Sequence, residues 1–148
     1  MTLKELTHDV HELAEQRPFA QLLINGGVTP EQYTNYLFNK YYIYSALEQY
    51  MNIPELNDIK RADKIREDLE WYEITYNFPK CVLTYSTNEY IQHIHSIGND
   101  PDKILAHVYV RHFGDMFGGA MIAKNLPGPN NYYNSVSYTH LTLPTNRE

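Results

Sequence analysis

Hydrophobic side chains recur every three or four residues along most of this chain, which is the spacing of an amphipathic α-helix. The first series lies between residues 2 and 25 and comprises Leu3, Leu6, Val10, Leu13 and Ala14. Pro18 is expected to divide this segment, because proline removes a backbone donor inside a helix. Gly26 and Gly27 then predict its end.

Capping and breaking residues predict further helices. One start signal is the sequence Thr29-Pro30-Glu31-Gln32, which combines an N-cap, a first-turn proline and a capping-box glutamine. It predicts a helix that runs to about Met51. The other predicted helices cover residues 63–76, 86–98 and 101–124, the second of them opening at a Ser86-x-x-Glu89 capping box. No segment keeps the period-two alternation of a strand, so we predict an all-α helical bundle.

The composition fits one globular domain of 148 residues, with 43% hydrophobic and 20% charged residues. A net charge of −6 argues against nucleic acid as the main partner. Cys81 is the only cysteine, so no internal disulfide can form, which fits a reducing compartment. No signal-like N-terminus is present, and no apolar run approaches the roughly 20 residues of a membrane span, so we predict a cytoplasmic protein.

The C-terminal stretch does not continue the helical pattern. After the turn at residues 127–129, residues 135–148 show no helical spacing and resemble translated sequencing-adapter read-through. We therefore predict a helical domain over residues 1–134 and a foreign tail over residues 135–148. The alternative is a genuine extended tail, which adapter-free DNA reads through this stretch would support.

Three glycines fall inside the predicted helix between residues 111 and 119, where the sequence is Arg-His-Phe-Gly-Asp-Met-Phe-Gly-Gly. Each glycine costs a helix about 1 kcal/mol relative to alanine, so their presence needs a reason. Glycine lets a backbone approach a flat and bulky group closely. The pattern predicts a helix that lies over a planar ligand through Gly114, Gly118 and Gly119. Asp115 would then be the one acid beside that ligand.

His11 is the second candidate functional residue. It follows Lys4 by seven residues, so the helical repeat places both side chains near one stripe, roughly 10 Å apart. An imidazole at one end and an ammonium at the other suit a metal tetrapyrrole with an anionic edge. Taken alone the pattern is weak, since a single helical histidine is more often exposed or packed than a metal ligand.

Three blocks together resemble the heme oxygenase family, namely Thr7–Glu15, Tyr42–Glu48 and Ala106–Gly119. Their order and spacing are similar to those of the soluble bacterial, cyanobacterial and phage enzymes, and the resemblance covers about residues 2–133. It implies a heme oxygenase-like helical bundle with its last helices missing, because family members continue through further helices after the Pro-Gly turn. The chain then resembles a C-terminally truncated member of the family.

The resemblance also implies roles for individual residues. His11 falls where the family places its proximal heme ligand, and Lys4 falls where a lysine pairs with a heme propionate. Glu15 corresponds to an acid near the proximal side, and Tyr109 to a tyrosine that hydrogen-bonds a propionate.

On the distal side, Arg111 and Asp115 correspond to the family's polar pair, with Asp115 holding an ordered water network over the iron. Gly114 and Gly118 correspond to glycines whose backbone packs on the distal heme face, and Gly119 is assigned to the same cofactor-binding set. The resemblance thus implies that Asp115, Arg111 and Gly114 are catalytic. Since Arg111 and Asp115 are four residues apart, an alternative is that they form a structural pair.

Two positions depart from the family pattern, because Phe117 replaces a small polar residue and Ala120 replaces an amide. Phe117 either crowds the ligand pocket or points into the core, and we favour the core. His93 and His95 face different sides of a helix and make a poor metal pair. We predict that His107 and His112 are structural or exposed and that Cys81 acts as a small hydrophobic residue. Core and helix-contact positions are predicted for Tyr41, Tyr42 and Tyr44, with direct heme contact as the alternative.

The implied activity is that of an oxidoreductase that binds heme as cofactor and substrate and opens it with O2 to biliverdin, carbon monoxide and ferrous iron. The chain has no flavin or nicotinamide motif, so its electrons must come from outside. The resemblance implies ferredoxin or another reductase as donor, with a downstream bilin reductase as a further partner. Two alternatives stay open: a heme or bilin carrier without turnover, and a thiaminase-like relative with another ligand.

Overall fold

The computed structural model of the protein describes residues 1–78 and 80–133. Its α-helices are α1 (Leu3–Glu15), α2 (Pro18–Asn25), α3 (Pro30–Glu48), α4 (Ala62–Tyr76), α5 (Tyr85–Ile97), α6 (Pro101–Val108) and α7 (Gly114–Ala123). A 3-10 helix covers Pro54–Ile59, and a π-helical segment covers Tyr109–Phe113. These residues contain no strand, which confirms the predicted all-α class, and no helix among them is long and apolar enough to cross a membrane. The predicted tail, residues 135–148, lies outside the described residues.

The central element is α3, which packs against α4, α5 and α6. One apolar cluster surrounds its C-terminal end, where Leu47 and Met51 share a buried core with Ile94 of α5 and Val108 of α6. A second cluster surrounds its N-terminal half and joins α2, α4 and the segment after α7. The buried members of the second cluster are Leu23, Tyr33, Leu37, Tyr44, Ile65, Leu69, Tyr72, Tyr132 and Tyr133.

Side-chain caps fix where two of the helices begin. The capping box at Thr29–Gln32 is confirmed, since both of its side chain–backbone hydrogen bonds are present. The predicted capping box at Ser86 is wrong, because the N-cap of α5 is Thr84, whose Oγ1 accepts from the Thr87 amide at 3.2 Å. Asn39 of α3 accepts from the Thr84 amide at 2.9 Å, so a tertiary contact sets the start of this helix.

The predicted helix over residues 101–124 has the expected extent, but a π-helical segment divides it into α6 and α7, which the sequence did not predict. At this wide turn the Tyr44 hydroxyl of α3 lies 2.9 Å from the carbonyl oxygen of Arg111. A side chain from another helix thus lies against the backbone where the helical repeat changes, and such a contact is a recognised cause of helix irregularity.

The first helix differs from the others because none of its residues is buried. Its apolar stripe, Leu6, Val10 and Leu13, is 62–69% exposed. We call these three residues the α1 face. The helix packs on α2, which in turn packs on α7. The α1 face has the spacing of a helix that packs against a partner, yet in the described part of the chain it faces solvent.

We expect Gly119→Ala to destabilise the fold by about 1–3 kcal/mol. A Cβ at this position would lie 2.3 Å from Cδ1 of the buried Tyr133 ring, so the ring or the helix would have to move. The matched control is Gly118→Ala, because a Cβ there meets nothing within 4 Å. That control should be neutral or stabilising by up to about 1 kcal/mol through helix propensity. Urea unfolding compares the two variants, and equal stabilities would contradict a packing role for Gly119.

Candidate functional site

The surface of α7 is bare where the glycine run lies. A Cβ placed on Gly114 or Gly118 would meet no atom within 4 Å, so open space lies beside both residues. Gly119 has a different environment, since Tyr133 fills the space beside it. The three glycines predicted to share one role therefore divide into two that leave a surface open and one that allows close packing.

Exposed apolar side chains surround the two open glycines. Helical spacing places Val110, Gly114, Phe117, Gly118 and Met121 on one side, and we call these residues the glycine face. The expectation that Phe117 points into the core is wrong, because this side chain is 52% exposed. The buried side of the segment is taken by Phe113 and Met116, so residue 117 must turn outwards. Its ring stacks on that of Phe113, with centroids 6.5 Å apart.

Asp115 lies at the edge of the glycine face and is half-buried. Two phenol groups donate hydrogen bonds to its Oδ2 atom, one from Tyr44 of α3 and one from Tyr132 after α7. Burial raises the pKa of both phenols well above the usual value, and the charge of Asp115 raises it further. Both groups therefore stay protonated and act as donors at any physiological pH.

A second polar group lies buried behind these tyrosines. His112 Nε2 is 3.0 Å from Glu48 Oε1, and the His112 ring packs edge-on against Tyr44 with centroids 4.6 Å apart. Glu48 also accepts from the Ala62 amide at 3.2 Å, so it caps the start of α4. Arg61 is buried beside them, and burial lowers the pKa of its guanidinium while the charges of the nearby acids oppose that effect. The core below the glycine face is thus charged and hydrogen-bonded.

Arg111 is held by an aromatic ring and forms no ion pair with Asp115 within the described residues. Its guanidinium carbon lies 4.4 Å above the centre of the Tyr90 ring, which is the geometry of a cation–π contact. The Tyr90 hydroxyl in turn lies 2.6 Å from Nδ1 of His107. Burial lowers the pKa of His107, and the charges of His93 and Arg111 lower it further. The lowered pKa favours the neutral imidazole at pH 7, and its Nδ1 shares a hydrogen bond with the Tyr90 hydroxyl.

The predicted α1 residues are exposed. His11 is 70% exposed, and its Nδ1 faces the Glu15 carboxylate at 3.5 Å, which leaves Nε2 free to bind a ligand. Lys4 is exposed on the same helix. His8 repeats the arrangement with Glu12 at 3.4 Å, but there the Nε2 atom faces the carboxylate. The two histidines therefore present opposite ring nitrogens to solvent.

The structure collects the predicted distal residues on one short segment, and it places the predicted proximal residues on α1. Arg111, Gly114, Asp115 and Gly118 lie within two turns of one another, with the half-buried Tyr109 at the start of the segment. Sequence reasoning predicted core or structural positions for Tyr44, His107 and His112 but missed their contacts around this segment. It gave no individual role to four further residues that hold the segment in place, which are Glu48, Arg61, Tyr90 and Tyr132. No local signal reveals them, since most of their contacts join residues distant in sequence.

Comparison with known proteins shows the family of this chain. A sequence model of the heme oxygenase family matches residues 1–146. The heme oxygenase of Rhodella violacea is 29% identical over 134 residues, which is 84% of this chain and 57% of the relative. Heme oxygenase 2 of Synechocystis is 32% identical over 134 residues, which is 81% of this chain and 52% of the relative. The chain spans about half the length of these curated relatives.

Solved structures show the same helical fold. The heme oxygenase of Leptospira interrogans superposes with a TM-score of 0.77 and 26% identity, covering 90% of this chain and 74% of that one. Heme oxygenase-1 of Synechocystis, solved in complex with heme, superposes with a TM-score of 0.76 and 23% identity. The match covers 89% of this chain and 67% of that one.

We expect His107 to make the fold less stable as the pH falls. Its pKa is lowered in the folded state, so the unfolded chain binds this proton more readily and stability is lost below about pH 6.5. His107→Gln, which keeps an acceptor for Tyr90, should therefore flatten the fall in unfolding free energy between about pH 8 and pH 5. His8→Gln is the exposed control. Urea titrations across this range measure the effect, and an unchanged slope in His107→Gln would contradict it.

Proposed function

Because this chain belongs to the heme oxygenase family, we propose that it binds heme and opens the ring oxidatively to biliverdin, carbon monoxide and ferrous iron. The observation that carries the proposal is the glycine face, where Gly114 and Gly118 leave open space beside the carboxylate of Asp115. When bound, heme would supply both the iron at which dioxygen is reduced and the macrocycle that is oxidised.

The residues present fit a flat apolar group with an anionic edge. The glycine face offers bare backbone flanked by apolar side chains, and α1 offers the exposed His11 and Lys4, which lie near one stripe of that helix. A macrocycle that covered the glycine face would remove its exposed apolar area from water, at about 25 cal/mol for each Å². Lys4 and Tyr109 would then bind its propionates, since an ammonium and a phenol are suitable partners for carboxylates.

We propose that His11 would hold the heme iron. Its Nδ1 faces Glu15 and its Nε2 is free, and metal-ligating histidines commonly have their second nitrogen on a carboxylate in this way. The carboxylate orients the ring and raises the basicity of the free nitrogen. Glu15 is thus a supporting residue for His11.

Asp115 and Arg111 would work on the opposite side of the ligand. Asp115 is half-buried beside the glycine face, so its free oxygen can accept hydrogen bonds from water and pass protons to the reacting dioxygen. The Tyr90 ring holds the Arg111 guanidinium on the same short segment, and the charge of Asp115 contributes to the raised pKa of Arg111. Gly114 contributes by leaving room for the reacting group.

The reaction needs electrons from outside the chain, and we propose reduced ferredoxin or another reductase as their source. A bilin reductase that consumes biliverdin is a further partner that this chemistry would serve. The alternative function is a heme or bilin carrier without turnover. That alternative shares the ligand site, so only a turnover assay separates the two.

We expect His11→Ala to remove the axial-histidine absorption and electron paramagnetic resonance signals of the heme-loaded protein, and to weaken heme binding by at least about tenfold. His8→Ala is a matched control, because His8 has the same exposure and an equivalent carboxylate partner on the same helix. Titration with hemin measures both variants. An equal loss of heme affinity in both variants, or no loss in either variant, would contradict the assignment of His11.

We expect Asp115→Asn to retain heme and to lower turnover by about 100-fold or more, because the amide cannot exchange the protons that the reaction consumes. Asp102→Asn, an exposed acid of α6, is the control. Loss of the Soret band with ferredoxin and a reducing system measures turnover. Wild-type protein that binds heme and leaves it intact under these conditions would favour the carrier.

A further inference from the structure

Tyr132 is a buried phenol whose position is fixed at both ends. The Asp68 carboxylate of α4 accepts from the backbone amide of Tyr132 at 2.9 Å and from that of Asn131 at 3.1 Å. The Tyr132 ring stacks on Tyr133 with centroids 4.3 Å apart, and Tyr133 fills the space beside Gly119. These contacts with Asp68 and Tyr133 therefore fix the position at which the Tyr132 hydroxyl meets Asp115.

Both phenols that reach Asp115 donate to the same oxygen. Tyr44 and Tyr132 each bind Oδ2, and in the described part of the chain no protein donor binds Oδ1. A carboxylate held by two donors on one oxygen cannot rotate without breaking both hydrogen bonds. The contacts therefore distinguish the two oxygens of Asp115, one occupied by protein donors and one available to water or ligand.

We propose that Tyr132 is a positioning residue for Asp115, which holds the carboxylate through Oδ2 so that Oδ1 alone accepts water and exchanges protons beside the glycine face. This inference rests on the proposed function, since it assigns a role in the reaction of the same site. Burial and the charge of Asp115 raise the pKa of the Tyr132 phenol, so Tyr132 keeps its proton and acts as an anchor only. The proton that moves is carried at Oδ1.

A purely structural role for the Tyr132 ring is the competing explanation, and the chain offers a matched control. Tyr133 is the next residue, is also buried and stacks on the same ring, but its hydroxyl lies near Tyr33 and Tyr36 and does not bind Asp115. Tyr132→Phe and Tyr133→Phe each remove one buried hydroxyl and keep the ring. Only Tyr132→Phe removes a donor from Asp115.

The first test uses the full chain without heme. Tyr132→Phe should lower the folding equilibrium constant about 10-fold or more, as expected for a hydrogen bond to a charged group, whereas Tyr133→Phe should change it less than about threefold. In an Asp115→Asn background the effect of Tyr132→Phe should shrink, because the charged acceptor is gone. An undiminished effect in that background would overturn the proposed contact, whatever the protein does with heme.

The second test measures turnover of heme with ferredoxin. Tyr132→Phe should lower kcat about tenfold while heme affinity stays unchanged, and it should move the acid limb of the pH profile to higher pH. The reason is that a carboxylate that loses a donor holds its proton more tightly. The other polar groups around Asp115, namely Tyr44, Arg61 and Arg111, are the same in both variants. Identical profiles for Tyr132→Phe and Tyr133→Phe would overturn the role in catalysis.

Discussion

The hydrogen bonds of Asp115 with two buried phenols organise this part of the molecule. They join α3, α7 and the segment after α7 through one carboxylate oxygen. Each phenol would be costly to bury without a partner, and the acid would be costly to bury without donors, so the three groups stabilise one another's burial. Asp68 extends the arrangement to α4 by binding the backbone at Tyr132. The glycine face has a defined position because the core below it is held in this way.

The two surfaces that we assign to heme differ in how they are supported. The glycine face rests on a buried core that contains Phe113 and Met116, and its apolar side chains extend outwards from that support. The other surface, around His11 and Lys4, belongs to α1, which has no buried residue and is held mainly through α2. A flat ligand that contacts both surfaces would therefore organise α1 more than it organises α7, because α1 has fewer competing contacts.

Local sequence rules predicted the helices well and their interruptions poorly. The caps at Thr29 and the breaks at Pro18 and Gly26 depend on neighbouring residues, so they could be read directly. The start of α5 depends on Asn39, and the π-helical segment coincides with a contact from Tyr44, both far away in sequence. The outward position of Phe117 likewise follows from the helix register that this interruption sets, since Phe113 and Met116 occupy the buried side.

The sequence by itself determined the helical class, the family, and the residue types of the site, because periodicity and motifs are local properties. It could not separate the packing glycine Gly119 from the open Gly114 and Gly118, or show that two tyrosines share one oxygen of Asp115. Only the tertiary structure decided these points. The physical reason is that these points depend on which side chains of α3 and of the segment after α7 contact α7. Such contacts join residues distant in sequence, so no local pattern predicts them.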